Sequence, residues 1–220
     1  MARKPNPGVC HFCKAQVSKA TITRHLASCP KRQERLGAPK PRHGRILQLM
    51  VQGAGLPQYW MVIEMSAEAS LWTLDSHLRD VWLECCGHMS AFTIDQEQYC
   101  SGAEDQLEGE SMAAKIGEVV VKGDSFLYEY DFGTTTDLVL KVVNEREGSM
   151  GKNAVEVLAT NTPPDIRCKC GEPATHVCSQ CIYEGAGWLC DQCAVEHDCG
   201  EEMLLPVVNS PRVGMCAYTG

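Results

Sequence analysis

The sequence predicts an α+β fold, with a mainly antiparallel sheet, packed helices and a small cysteine-rich module on either side. In the middle of the chain, segments with strand patterning outnumber helical ones and do not alternate regularly with them, which is typical of α+β domains. The 220 residues include 14 cysteines, and most of these lie near the two ends at short spacings. Such spacings are typical of metal ligands, so the two modules are predicted to be held by metal.

The compartment decides how the cysteines are interpreted. The first residues, MARKPNPGVC, are basic and contain two prolines, without the apolar region of a secretory signal peptide. No run approaches the roughly 18 apolar residues of a membrane-spanning helix. We therefore expect a cytoplasmic protein without a membrane contact. In such a reducing compartment clustered cysteines bind metal more often than they form disulfides, which are the alternative.

Charge is distributed unevenly along the chain. Residues 1–45 contain eleven lysines and arginines and one acidic residue, whereas residues 46–166 contain six basic and twenty acidic residues. This asymmetry predicts a basic arm with affinity for polyanions, joined to acidic bodies. Composition and cysteine spacing together predict four segments: a finger at 8–30, a basic linker at 31–45, an α+β domain at 46–162 and a cysteine-rich module at 167–220.

The first segment has the spacing C-x2-C-x11-H-x3-C. Residues 17–28 are predicted to form a helix with Ser18 as its N-cap, which places the last two ligands on one face. A fold of about 20 residues cannot bury enough surface to be stable alone. Zinc binding, worth on the order of 10 kcal/mol or more in small fingers, would stabilise it. The predicted ligands are Cys10, Cys13, His25 and Cys29.

Over these residues the finger resembles the C2HC ubiquitin-binding fingers of DNA-repair proteins. The resemblance implies an aspartate that contacts ubiquitin after the His-Leu pair, and Ala27 occupies that position here. Basic side chains around the helix predict a nucleic-acid surface that contacts phosphates, and a solubilising basic face is the alternative. The candidate phosphate contacts are Lys14, Lys19, Arg24, Lys31, Arg32 and Arg35.

The middle segment is predicted to form the main core. Residues 70–86 have the pattern of an amphipathic helix, with Val81 and Cys85 on its apolar face and Asp75 on the polar side. In the strand over residues 125–132 the aromatic residues alternate on one face, which leaves Glu129 and Asp131 on the other. A long acidic loop with a short helix is predicted at 95–118. The other predicted strands cover residues 46–52, 59–67 and 88–94 and the stretches TDLVLKVVNE and AVEVLAT.

Residues 46–161 resemble the plasmid pRiA4b ORF-3-like family. Three stretches carry the resemblance: ILQLMVQGAGLPQYWMVIEM, TLDSHLRDVWLECCGHMSAFTI and FLYEYDFGTTTDLVLKVV. The third is similar to the family signature Y-x-Y-D-F-G-[DS]-x-W-x-H-x-[IL], although Thr136 and Leu138 stand where the signature has Trp and His. The resemblance implies a sandwich-like α+β domain, commonly carried by plasmids and insertion elements, with no established activity.

The last segment has the spacing C-x-C-x7-C-x2-C-x8-C-x2-C-x3-H-x-C. Eight ligands in four pairs match two tetrahedral zinc sites. Sequential pairing would close the last two pairs around one ion with only three residues between them, so interleaved pairing is favoured. His176 is an alternative ligand, because the first pair is C-x-C. The predicted sets are Cys168, Cys170, Cys190 and Cys193 at one site, and Cys178, Cys181, His197 and Cys199 at the other.

This ligand order resembles the cross-brace fingers of the MYND and B-box type, which implies a protein-interaction module. A site closed by four protein ligands has no position for water, so the zinc ions are predicted to be structural and three in number. We therefore predict a non-catalytic interaction protein of mobile-element or plasmid type that contacts nucleic acid through its N-terminal finger. A protein adaptor that uses the C-terminal module is the alternative, followed by an enzyme with an acidic site at Glu129 and Asp131. Cys85 is assigned to the core and Cys216 receives no role.

Overall fold

A computed structural model of the chain describes residues 7–37, 44–102, 109–150 and 153–220. None of the helices within these residues is long and apolar enough to cross a membrane. The strands are β1 (Pro7–Cys10), β2 (Gln16–Ser18), β3 (Gly44–Gly53), β4 (Leu56–Ser66), β5 (Ser90–Ile94), β6 (Glu97–Cys100), β7 (Glu110–Ser111), β8 (Ser125–Tyr130), β9 (Thr136–Gly148), β10 (Val155–Asn161), β11 (His176–Cys178), β12 (Trp188–Leu189) and β13 (Leu204–Pro206). The helices are α1 (Lys19–Ser28), α2 (Pro30–Leu36), α3 (Leu71–Leu78), α4 (Ile116–Val119) and α5 (Asp191–Val195), with a π-helical turn at Arg79–Leu83 and 3-10 turns at Cys181–Glu184 and Glu201–Met203.

Ten strands form one sheet in the order β2-β1-β10-β4-β3-β9-β8-β5-β6-β7. Neighbouring strands are antiparallel, except for the short parallel pair β6 and β7. A second, antiparallel sheet has the order β12-β11-β13. A mainly antiparallel sheet with packed helices confirms the predicted α+β class.

The C-terminal module packs onto the core of the central domain. That core is formed by the large sheet and α3, with alternate residues of β3 such as Leu47 and Leu49 fully buried. Val177 of β11 and Leu205 of β13 belong to the same apolar cluster. The two predicted segments therefore share one core, which is not apparent from the change in composition between them.

The N-terminal finger extends the large sheet at one edge. β1 pairs with β10, and Ile22 and Leu26 of α1 form a second apolar cluster with Trp60 and Leu158 of the sheet. A side chain at Gly8 would clash with the indole ring of Trp60, so only glycine allows β1 to approach this closely. The finger predicted at 8–30 thus shares both a sheet and a core with the domain that follows.

The segment predicted as a linker at 31–45 begins as a helix. Pro30 occupies the first turn of α2. Backbone N–H groups in the first turn have no carbonyl partner within the helix, so proline costs no hydrogen bond there. Arg32 lies on the buried side of this helix, whereas the prediction assigns this segment nothing to bury. Residues 38–43 lie outside the described residues, and the chain resumes as β3 at Gly44.

The helix predicted at 70–86 changes its winding after α3. A π-helical turn accommodates one extra residue, so the buried face of the helix shifts. Leu83 is therefore buried, and Val81, which was predicted to be on the apolar face, is exposed. Asp75, predicted on the polar side, is also buried. Its carboxylate accepts hydrogen bonds from Tyr128 Oη at 2.7 Å and Arg79 Nε at 2.7 Å. These donors replace water and allow a charged group to lie inside the fold.

The strand predicted at 125–132 ends at Tyr130 because Asp131 leaves the extended conformation. Asp131 has φ 66°, and its Oδ1 accepts the backbone N–H groups of Gly133 at 3.0 Å and Thr134 at 3.2 Å. Aspartate tolerates this left-handed conformation when its side chain bonds to the backbone. The predicted alternation is therefore wrong at its end, since Phe132 is 41% exposed and Asp131 does not continue the face of Glu129.

Candidate metal centres

The ligand atoms of the N-terminal finger lie together. The sulfurs of Cys10, Cys13 and Cys29 and a ring nitrogen of His25 are all within 4.8 Å of one another. Cys10 Sγ lies 4.0 Å from Cys29 Sγ, and Cys13 Sγ lies 3.3 Å from His25 Nε2. Three thiols and one imidazole form a donor set that suits Zn²⁺.

Local structure explains why these four side chains converge. After β1 the chain reverses in a tight turn, in which Lys14 has φ 61° and donates its N–H to the carbonyl of Cys10 at 2.9 Å. This turn brings Cys13 back beside Cys10. Helix α1 begins after Ser18, its predicted N-cap, and presents His25 from its last turn, with Cys29 one residue after its end.

The C-terminal cysteines form two groups with the interleaved pairing that the sequence favours. Within each group, the ligand atoms lie within 4.8 Å of one another. Cys170 Sγ lies 3.6 Å from Cys190 Sγ in the first group, and Cys181 Sγ lies 3.5 Å from Cys199 Sγ in the second. The first group is Cys168, Cys170, Cys190 and Cys193, and the second is Cys178, Cys181, His197 and Cys199.

Short elements separate the two C-terminal groups. Cys178 ends β11 and Cys181 begins a 3-10 turn, whereas Cys190 is the N-cap of α5 and Cys193 lies inside that helix. His176, the alternative ligand, is in neither group. Its Nδ1 instead lies 3.0 Å from the hydroxyl of Thr175. Both thiols of the C-x-C pair, Cys168 and Cys170, therefore belong to the first group.

The distances between sulfur atoms distinguish metal sites from disulfides. None of the fourteen cysteines, all of which lie within the described residues, forms a disulfide bond, and the paired sulfurs above are 3.5 to 4.0 Å apart. A disulfide bond would hold them at about 2.05 Å. Ligands on a tetrahedral zinc ion, with bonds of about 2.3 Å, place two sulfurs about 3.8 Å apart. The observed spacing matches the second arrangement, and the clusters are compatible with zinc binding.

The thiols of one group differ strongly in acidity. Backbone N–H groups of Cys170 and Cys190 lower the pKa of Cys168 to about 6, because they stabilise its thiolate. A hydrogen bond with that sulfur raises the pKa of Cys193 to about 12. One thiolate therefore opposes ionisation of its neighbours, and a divalent cation would remove that opposition by binding all four sulfurs.

A fourth group, with three cysteines and one histidine like the finger, lies in the described residues and was not predicted from the sequence. It brings Cys85, Cys86 and His88 together with Cys216. The dense run Cys-Cys-Gly-His is a local signal for three of these ligands. Cys216 is remote in sequence, and no spacing rule connects it to the others. The described part of the chain thus contains four candidate groups, where the sequence predicts three zinc ions.

Comparison with known proteins adds little to this description. No family model matches the chain, and no curated protein does either. A crystal structure of a protein of unknown function from Methanosarcina mazei Go1 is similar, with 20% identity and a TM-score of 0.46. The match covers 55% of this chain and 74% of that chain. This TM-score is too low to establish a shared fold.

The predicted phosphate contacts are largely engaged within the protein. Arg32 is 4% exposed and forms an ion pair with Glu64, so its guanidinium is not accessible to a phosphate. Lys19 donates to the carbonyl of Pro57 at 3.3 Å. Two further side chains form ion pairs, Lys31 with Glu34 and Arg35 with Glu156. Lys31 and Arg35 are nevertheless 63% and 55% exposed, and Lys14 and Arg24 are exposed as well.

The two acidic residues proposed for an enzyme lie in different surroundings. Asp131 is buried, and its Oδ2 accepts a hydrogen bond from Arg212 Nη2 at 2.7 Å. Although burial opposes ionisation, Arg212 and the backbone N–H groups of Thr134 and Gly133 hold the pKa of Asp131 below its usual value. Asp131 is therefore a paired, structural carboxylate, while Glu129 lies within β8, half-buried.

Proposed function

We propose that the chain is a non-catalytic interaction protein, stabilised by zinc, whose C-terminal module binds a segment of another protein. The observation that carries this proposal is an apolar side chain that is exposed beside a groove of that module. Val195 is 87% exposed and lines the groove, and Tyr183 of the same module is 65% exposed. Single exposed apolar side chains are common on protein surfaces, whereas one that lines a groove offers a partner apolar surface to bury.

The chemistry of the surface indicates the kind of segment that binds. Val195, Ala194 and Leu204 line a groove together with Asp191 and Glu201. The module as a whole contains seven acidic and three basic residues. A partner segment with an aliphatic or aromatic residue flanked by lysine or arginine matches both the apolar lining and the charge.

The ligand sets support a binding role over catalysis. Each group supplies four protein ligands, which is the closed arrangement of structural zinc sites. The resemblance of residues 46–161 to the plasmid pRiA4b ORF-3-like family supports a protein of mobile-element type. A reducing cytoplasm is part of the proposal, because the thiols must stay reduced to bind metal.

Substitution of Val195 with serine is expected to weaken peptide binding at least tenfold, or about 1.4 kcal/mol. The probe is a set of peptides selected from a random display library on the full-length, zinc-loaded chain, and affinity is measured by fluorescence anisotropy. Val121→Ser is the matched control, since Val121 is also exposed but lies on the central domain. The proposal fails if the library yields no binder, or if the selected peptides bind both variants equally well.

Nucleic-acid binding is the second candidate, because eleven basic residues lie within residues 1–45 and Lys14 and Arg24 are exposed. Deleting this segment is not a clean test, since β1 belongs to the sheet. The double variant Lys14→Glu and Arg24→Glu is expected to weaken binding to a duplex or a single strand, and to reduce its salt dependence by about two phosphate contacts. Lys141→Glu, an exposed site on β9, is the control. Equal binding by both variants would exclude the finger as the nucleic-acid surface.

A further inference from the structure

The fourth cysteine–histidine group lies where the end of the chain crosses the central domain. Cys85, Cys86 and His88 follow the π-helical turn, and Cys216 arrives from the C-terminal segment. None of these ligands belongs to the two cross-brace sites or to the finger. The group therefore connects two distant parts of the chain, since Cys86 and Cys216 are 130 residues apart in sequence.

Two sulfur–sulfur distances in this group fit a tetrahedral ion. Cys86 Sγ lies 3.6 Å from Cys85 Sγ and 3.7 Å from Cys216 Sγ. Two sulfurs bound to one zinc ion are separated by about 3.8 Å. His88 Nε2 lies 2.9 Å from Cys86 Sγ and 3.2 Å from Cys216 Sγ. The imidazole thus faces both sulfurs with the nitrogen that a metal would take.

The backbone on both sides is held in conformations that direct the ligands inward. Gly87 has φ 78°, and its N–H donates to Glu84 Oε1 at 2.6 Å, which forms a tight turn between Cys86 and His88. Cys216 itself has φ 44°, an uncommon conformation for a residue with a side chain, which persists where surrounding contacts impose it. Such a conformation at a ligand is consistent with a side chain fixed by its site.

An ion pair lies beside the ligands, since Arg212 contacts a ligand sulfur and its partner Asp131 has Oδ2 3.4 Å from His88 Nε2. Three thiolates, one neutral imidazole and Zn²⁺ have a net charge of about −1. Arg212 is fully buried, and its Nη2 lies 3.4 Å from Cys85 Sγ and 2.7 Å from Asp131 Oδ2. The guanidinium also packs over the ring of Tyr130, 4.7 Å from its centroid. Arg212 therefore places a positive charge against a ligand sulfur, as outer-shell groups of metal sites do.

From these observations we propose that Cys85, Cys86, His88 and Cys216 bind a fourth zinc ion, which joins the C-terminal segment to the central domain. Zinc matches the soft thiolate donors, the single imidazole and the tetrahedral spacing. The segment is already docked by Ser210, whose hydroxyl donates to the carbonyl of Trp82 at 2.6 Å. The ion would crosslink the C-terminal segment to the central domain. A crosslink between residues that are distant in sequence stabilises a fold because it restricts the unfolded chain.

The test uses the full-length chain, loaded with zinc alone and freed of excess metal. Four equivalents of zinc per chain are expected, one for each group. Cys216→Ser is expected to retain three, whereas Cys100→Ala is expected to retain four, because Cys100 belongs to none of the groups. Wild-type protein with only three equivalents would overturn the proposal.

A second measurement does not depend on a variant that folds. Cys86 is the exposed member of the group, so without metal its thiol is accessible to an alkylating reagent. Peptide mass spectrometry on the wild type is expected to show that zinc slows the alkylation of Cys86, Cys85 and Cys216 together, by at least tenfold. If Cys86 reacts at the same rate with and without zinc, no ion is bound at this site.

Discussion

Substitution of Cys29 with serine is expected to remove one equivalent of zinc and to detach β1 from the large sheet. Cys29 is almost fully buried and shares its ligand group with Cys10. Metal binding contributes on the order of 10 kcal/mol to the folding of small zinc fingers. A whole domain is stable by only about 5–15 kcal/mol. We therefore expect the apolar contacts of α1 with Trp60 to be too weak to hold the finger in place without its ion.

Hydrogen exchange measures this effect locally. In the wild type the N–H of His11 donates to the carbonyl of Leu158 at 2.9 Å, so its exchange should be slow, and in Cys29→Ser it should become fast. Ser28→Ala is the control, because this neighbouring hydroxyl bonds only to carbonyls of α1, including that of Arg24. Slow exchange at His11 in a variant that has lost the zinc would show that the sheet holds the finger without metal.

Local spacing was sufficient to predict three of the four ligand groups. Thiols separated by two residues in a tight turn, and a histidine in the last turn of a helix with a cysteine just after its end, are brought to the same side because helix and turn geometry fix their directions. The interleaved pairing was predicted from the length of one connection, since the three residues between Cys193 and His197 leave little room for both pairs to bind the same ion. In each case the deciding interaction lies within a short segment.

The fourth group could not be predicted in the same way, because its last ligand depends on how the chain folds back. Cys85 lies on the apolar side of a predicted helix, and the sequence favoured a place in the core. The π-helical turn at Arg79–Leu83 alters the direction of the residues that follow. Only the tertiary structure then brings Cys216 to that point, through contacts such as Ser210 with Trp82.

The pattern of basic residues also gave a wrong prediction where the ion-pair partner is distant in sequence. Arg32 has the pattern of a solvated lysine-and-arginine face, and the sequence predicted a phosphate contact. In the structure it is buried beside Glu64 of β4. The hydroxyl of Thr136 accepts a hydrogen bond from Arg212 at 3.0 Å. A residue from the C-terminal segment thus contacts β9 of the central domain, which the segment boundaries did not anticipate.

Substitution of Glu64 with glutamine is expected to lower the free energy of unfolding by about 3–5 kcal/mol, since it leaves the buried Arg32 and the partly buried Arg146 without their counter-charge. Glu64 is 2% exposed. Its Oε2 accepts a hydrogen bond from Arg146 Nη2 at 2.5 Å, and its Oε1 accepts one from Arg146 Nε at 3.0 Å. Arg32 of α2 donates to the same carboxylate. One carboxylate therefore compensates two guanidinium groups and ties α2 to the sheet.

Denaturation with urea, monitored by circular dichroism on zinc-loaded protein, measures this loss. Glu68→Gln is the matched control, because Glu68 forms its ion pair with Lys115 in solvent, where such pairs contribute about 0–1 kcal/mol. The double variant Arg32→Met and Glu64→Met distinguishes charge imbalance from packing, because it removes both members of the buried ion pair. Its loss in the free energy of unfolding should be smaller than the sum of the losses of the two single variants. A Glu64→Gln variant as stable as Glu68→Gln would show that the buried guanidinium groups find other partners.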